Sequence, residues 1–305
     1  MLSLDDSTTT VTPLFSDTLE RLRLTANLNS QQWFDILQLS WNNYQQMKLG
    51  HLIPSDKIAE RVADYFNIST EAVLAGQIDY RSVGLRFDSS SLVLPEAYSK
   101  AAYGRKRTSI TSVHFLEVYA GWRLRLDALR KLCVSESMLQ DPFAPISMKF
   151  ITDLCDYLHR RQFQKMDFFA MGAYTYEANQ QTLVAKLFSE LPSAKDAYEF
   201  FFNECMKLFE QNCVYTITQI SDSNLTVEFL TNPDVGAESG LRHLGSAHVC
   251  QVKSGLIANI PRYLGLPASR VKEVACVHCG DDVCRLEVDF SVARNISLSQ
   301  LSLNH

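Results

Sequence analysis

The chain has 305 residues, 46% of them hydrophobic and 21% charged, with a formal net charge of −5. That is enough apolar material for two domains with separate cores, and an acidic balance that makes a poor overall partner for a phosphate backbone. With no run of about 18 uncharged apolar residues and no basic start to "MLSLDDSTTTVTPLF", neither a membrane span nor a secretory signal is expected, and the chain reads as cytoplasmic.

Residues 1–80 hold five bases, Arg21, Arg23, Lys48, Lys57 and Arg61, against ten acids, so the excess negative charge sits there. Their pattern is a series of short helices, "SDTLERLRLTANL", "SQQWFDILQL", "SWNNYQQMKLG", "PSDKIAERVADYF" and "STEAVLAG". Ser16, Ser30, Ser40, Ser55 and Ser69 stand where N-caps belong, and Gly50 and Gly76 where helices stop. In residues 81–112 the periodicity gives way to a serine run, a proline and a basic knot at Arg105, Lys106 and Arg107, which predicts a linker carrying a solvated basic patch.

Residues 113–291 predict a second domain and residues 292–305 a tail. A helical pattern runs from His114 to Leu132, and a helix follows over about 146–159. "DFFAMGAYTY" is apolar and aromatic around a glycine and fits a strand or a buried helix. "SAKDAYEFFFNECMKLFEQN" predicts an amphipathic helix, and "CVYTITQISDSNLTVEFLT" a hairpin. A helix with the apolar stripe Val249, Val252, Leu256 and Ile260 precedes a second hairpin, "SRVKEVACVHCGDDVCRLEVDF". No segment repeats.

Cys133, Cys155, Cys205 and Cys213 are dispersed, whereas Cys276, Cys279 and Cys284 are bunched. In a reducing compartment this contrast favours buried thiols for the first set and a metal or catalytic role for the second. A turn around Gly280 makes Cys276 and Cys284 cross-strand partners with Cβ atoms about 4.5–5.5 Å apart, close enough for two thiolates to share one zinc. Cys250 and Glu273 are candidates for the remaining ligands. Alternation puts Glu273 and Cys276 on opposite strand faces, so a shared metal requires a bulge near Val274. Buried core thiols and redox use remain alternatives.

"SAHVCQVKSGLIANIPRYLG" followed by "VKEVACVHCGDDVCRLEV" resembles the 4-vinyl reductase domain, the small-molecule sensor module of phenol- and xylene-responsive bacterial activators. The resemblance implies a structural zinc held by Cys250, Glu273, Cys276 and Cys284, closed to water because all four places are filled. It also implies a cavity for a small hydrophobic or aromatic molecule, for which Trp122, Phe169, Tyr174, Tyr176, Phe202, Tyr215 and Phe229 are candidate lining residues.

The stretch from Leu28 to Gly76 resembles the Cro/C-type repressor helix-turn-helix family through Gly50, Pro54, Ser55, Ile58, Val62, Ala63 and "NISTEAVL". The resemblance implies a recognition helix over 41–48 whose Trp41, Asn42, Asn43, Gln45 and Lys48 contact DNA. Phe34, Ser30 and Lys48 depart from the family pattern. The expected fold class is therefore α+β: an N-terminal all-α helix-turn-helix bundle joined to an α+β sensor domain with β-hairpins and a zinc site. The expected function is a ligand-responsive, homodimeric transcription regulator. The alternative is a signalling adaptor whose helix-turn-helix-like domain makes protein–protein contacts. With no Gly-rich dinucleotide loop after a strand and no open metal position, an enzyme is not expected.

Overall fold

In the computed structural model, which describes residues 11–52, 55–87 and 93–291, the chain divides into two units. Residues 1–92 with 135–137 form the first, and 93–134 with 138–305 the second. Pro54 and the tail over 292–305 lie outside the described residues. Among the described residues no helix is long and apolar enough to cross a membrane.

The first unit holds α1 (Val11–Thr25), α2 (Ser30–Leu37), α3 (Trp41–Lys48), α4 (Asp56–Phe66), α5 (Thr70–Ala75) and α6 (Tyr80–Phe87). Their apolar faces meet in one core in which Leu19, Leu22, Trp33, Leu37, Met47, Val62 and Phe66 are fully buried. Ser40 and Ser69 cap α3 and α5 by accepting from the backbone N–H of Asn43 and Ala72. Asn29, not Ser30, caps α2: its side-chain oxygen accepts from Gln32 N–H at 2.9 Å, while the Gln32 amide oxygen accepts from Asn29 N–H at 3.0 Å. This reciprocal pair satisfies two end donors at once, which Ser30 cannot do. α1 starts at Val11, so Ser16 lies inside it, and Ser55 sits at the start of α4 without a side-chain bond.

The second unit begins with α7 (Glu96–Ser99), β1 (Gly104–Arg105), α8 (Lys106–Ala120) and α9 (Trp122–Lys131). The segment expected to be a linker is thus structured from Glu96 onward, and the single helix expected up to Leu132 is broken at Gly121, whose φ of +87° suits glycine. After β2 (Pro145–Ile146), antiparallel to β1, come α10 (Met148–Arg160), α11 (Lys165–Asn179), α12 (Leu183–Ser189), α13 (Ala194–Phe200) and α14 (Met206–Phe209). A π-helical turn over Phe201–Cys205 joins α13 to α14, so the predicted amphipathic helix changes its winding in the middle. β3 (Cys213–Ile220), β4 (Asn224–Thr231), α15 (Pro233–Ser239), α16 (Ala247–Ala258), β5 (Arg270–Ala275) and β6 (Cys284–Asp289) complete it.

The two hairpins are not separate. β4 and β6 pair through Leu225–Val288, Val227–Leu286 and Phe229–Cys284, giving one antiparallel sheet in the order β3-β4-β6-β5. Buried Leu225, Val227, Phe229, Leu286 and Val288 alternate with more exposed residues, as a sheet with one covered face requires.

"DFFAMGAYTY" is helical and belongs to α11, which crosses α16 at two glycines. A Cβ on Gly172 would fall 1.8 Å from the Val252 carbonyl oxygen, and one on Gly255 would fall 1.9 Å from that of Phe169. The two backbones are in direct contact, and only a residue without a side chain permits it.

Candidate functional site

α8, α11, α12, the α13–α14 turn and the end of α16 enclose a pocket with an interior volume of about 70 Å³. Its apolar wall includes Val184, Phe188, Phe201, Phe209, Leu256 and Ile260. Its polar side is a chain of hydrogen bonds. Arg107 Nε and Nη2 donate to Asn179 Oδ1 at 3.2 and 2.5 Å, and Nη2 also reaches Thr182 Oγ1 at 3.0 Å. Asn179 Nδ2 donates to the Tyr263 hydroxyl at 3.2 Å. Burial pushes Tyr263 up to about 12 and lowers the pKa of Arg107. Tyr176 and Tyr263 meet edge-on at 5.1 Å and also line an outer, solvent-open concavity of about 700 Å³ beside Thr182 and Lys186. A mainly apolar pocket with a few convergent polar groups is the ordinary form of a small-molecule site.

Of the seven aromatic residues expected to line a cavity, only Tyr176 lines this one. Phe202, Tyr215 and Phe229 follow one another at 5.8 and 5.4 Å as core packing, with Lys253 Nζ 5.2 Å from the Tyr215 ring and 4.8 Å from that of Phe229. Tyr174 packs on Phe115, the Trp122 ring lies under the Arg123 guanidinium, and the Phe169 carbonyl abuts Gly255. Arg107, Asn179, Phe188 and Tyr263 were missed. Arg107 stood in the knot expected to be solvated, yet all three of its bases bond within the second unit: Arg105 to the Leu208 carbonyl, Lys106 to that of Met138, and Arg107 as above. The break of helical phase in "EFFFNEC" was the available signal for the π turn, a winding often found at binding sites.

At the other end of α16, the sulfurs of Cys250, Cys276 and Cys284 lie within 4.8 Å of one another, all buried. Among the described residues this trio is the group close-set enough to hold a metal ion. Cys250 Sγ is 3.8 Å from both of the others, and Val277 N–H donates to Cys284 Sγ at 3.4 Å. The hydrogen bond from Cys250 draws Cys284 down to about 7 against the opposing effect of burial, with help from Val277 N–H, Cys276 and Lys253. Cys276 is pushed up to about 12, chiefly by burial, and Cys250 is raised as the donor to Cys284. The trio therefore shares one thiolate near neutral pH, centred on Cys284. Ultraviolet thiolate absorbance is expected to show a step near pH 7 in the metal-free protein, absent from Cys284→Ser. A first step only near the ordinary thiol range of about 8.5 would contradict this.

β5 carries an irregularity between Glu273 and Ala275 where it pairs with β6, so Ala275 faces Arg285 but Glu273 faces Leu286. Glu273 nevertheless stays outside the trio: Gln251 Nε2 donates to its Oε2 at 2.6 Å, and its Oε1 is buried without a hydrogen-bond partner. Among the described residues no histidine joins the three sulfurs. Structural zinc needs four protein ligands, so the expected zinc is withdrawn in favour of a three-thiol cluster. Cys279 is exposed at the turn.

The face expected to read DNA is α3. Trp41, Asn42, Asn43 and Lys48 are exposed, Trp41 by 60%, while Gln45 is half-buried. The basic edge that phosphate contact requires is not available around it. Arg61 donates to the Leu37 carbonyl at 2.8 Å, Arg23 pairs with Glu20, and Arg21 lies over the Tyr80 ring. With Arg105, Lys106 and Arg107 engaged elsewhere, Lys48 and Lys57, with Arg81 and Arg86 on α6, are left on an acidic unit.

No family model matches the chain, and no curated protein does. Among solved structures, the Fe(II) unliganded H-NOX protein from K. algicida is similar at a TM-score of 0.45 and 6% identity, covering 61% of this chain and 95% of that one. H-NOX proteins from S. oneidensis are similar at 0.45 with 10% identity, in the Fe(II)NO state, and at 0.46 with 11%, in the Fe(II) state as a mutant. These cover 61% of this chain and 98% and 95% of theirs. At this distance the likeness brings no ligand or partner with it. The resemblances to the Cro/C-type and 4-vinyl reductase families are withdrawn, since no family model matches the chain. The fold class, the transcription-regulator function, the DNA partner and the homodimer inferred from paired DNA half-sites are withdrawn with them.

Proposed function

We propose that the protein is a cytoplasmic signalling adaptor and not an enzyme: the second unit takes up a small apolar ligand between α8, α11, α12 and α16, and the first unit makes a protein contact through α3. Eight unpaired cysteines suit a reducing compartment. The observation that carries the proposal is the face of α3. On this acidic unit Trp41 is 60% exposed and Leu49 66%. Exposed large apolar side chains beside asparagines make the kind of patch that protein partners cover. The iron of the H-NOX proteins stays with them, because a pocket of about 70 Å³ with no lining histidine does not fit a porphyrin.

A photo-crosslinking residue in place of Trp41 is expected to form an adduct with one defined protein in cells. Trp41→Ser with Leu49→Ser is expected to keep the melting temperature and to lose capture of that protein. Adducts to nucleic acid, or capture unchanged in the double variant, would sink the proposal.

A further inference from the structure

The charge on the polar side of the inner pocket identifies the ligand more closely, on the premise that this pocket is a ligand site. Arg107 offers five N–H groups. Nε and the two on Nη2 are taken by Asn179 and Thr182. The two on Nη1 bond to none of the described residues, and no carboxylate among the described residues pairs with the guanidinium. Elsewhere in the unit several arginines pair with acids: Arg262 with Glu177 at 3.0 Å, Arg285 with Glu228 at 2.7 Å, and Arg161 with Asp127. Arg107 is half-buried at a junction, lining the inner pocket itself and reaching Thr182 on the outer concavity.

Asn179 and Thr182 hold the group in place with neutral oxygens. They orient the guanidinium without cancelling its charge, so an anion meeting Nη1 spends little on ordering the receptor. The two Nη1 hydrogens left over can each donate to a carboxylate oxygen, and charge-assisted bonds of this kind are about twice as strong as neutral ones. The rest of the wall, with Val184, Phe188, Phe201, Leu256 and Ile260, asks for an apolar body.

We propose that the pocket binds an apolar monocarboxylate, with its carboxylate on Arg107 Nη1 and its hydrocarbon or aromatic body against Phe188, Phe201 and Leu256. The test is calorimetric titration of the full chain with butyrate, hexanoate and benzoate, each beside the alcohol of the same skeleton. The acids are expected to bind at least about tenfold tighter than the alcohols, the contribution of one charged hydrogen bond. Arg107→Gln is expected to bring the acids to the level of the alcohols, while Arg107→Lys keeps part of the preference.

Acids and alcohols that bind alike would overturn the carboxylate and leave the pocket standing as a site for neutral apolar molecules. A preference unchanged in Arg107→Gln would overturn the assignment to Arg107. Failure of every acid and alcohol to bind would overturn both this inference and the ligand site it rests on. Should Arg107→Gln not fold, the acid-to-alcohol ratio of the native chain and its reduction in Arg107→Lys decide the matter.

Discussion

Gly255→Ala is expected to destabilise the second unit by about 3 kcal/mol, the upper end of the usual cost of overpacking. The added methyl would sit 1.9 Å from the Phe169 carbonyl oxygen, against backbone that has no rotamer by which to yield. α11 and α16 must therefore separate by more than an ångström along the crossing that joins them. Gly172→Ala makes the same demand from the other helix, at 1.8 Å from the Val252 carbonyl. One separation relieves both clashes, so the double variant is expected to cost clearly less than the sum of the singles. Urea denaturation of the three variants measures this. Additive losses would mean that the helices yield independently. Thr175 and Tyr176 on α11 and Leu256 on α16 line the pocket, so ligand uptake is expected to weaken in the same variants.

Trp33→Ala is expected to cost about 3–5 kcal/mol and to unfold the first unit near room temperature. A whole domain is typically stable by only about 5–15 kcal/mol, and a small one lies toward the lower end. Trp33 is fully buried, its ring 6.3 Å from that of Phe66. Its removal leaves a void bounded by α2 and α4, whose packing organises the unit. A thermal scan followed by circular dichroism is expected to show an early transition in Trp33→Ala that is missing in Trp41→Ser. A melting curve like that of the native chain would mean that α2 is dispensable to the core.

Much of the local structure was legible because it is written in neighbouring residues. The apolar spacing of Ile58, Val62 and Phe66 defines α4, Ser69 and Gly76 bound α5, and "SDSN" turns β3 into β4. What escaped depends on residues far apart in the chain. Asn29 outcompetes Ser30 as a cap only because Gln32 answers it, and β4 pairs with β6 across more than fifty residues. At the candidate site, the approach of Cys276 to Cys284 was foreseeable from the spacing and Cys250 stood as a candidate on the preceding helix, whereas the exclusion of Glu273 is decided by Gln251. The pocket was hidden for a similar reason. Arg107 reads as a surface charge until Asn179, from another helix, gives it an interior partner.

α16 runs from the thiols at Cys250 to the pocket wall at Leu256, about 9 Å apart at 1.5 Å per residue, pinned between them by its backbone contact with α11. A helix held in that way moves as a rod. Free energy released by filling one end and used to displace it must appear at the other as an altered affinity of the thiolate for its proton, and thermodynamic reciprocity makes the two effects equal. The sulfur cluster and the pocket would then be two readouts of a single coordinate, so that filling the one would be measurable at the other.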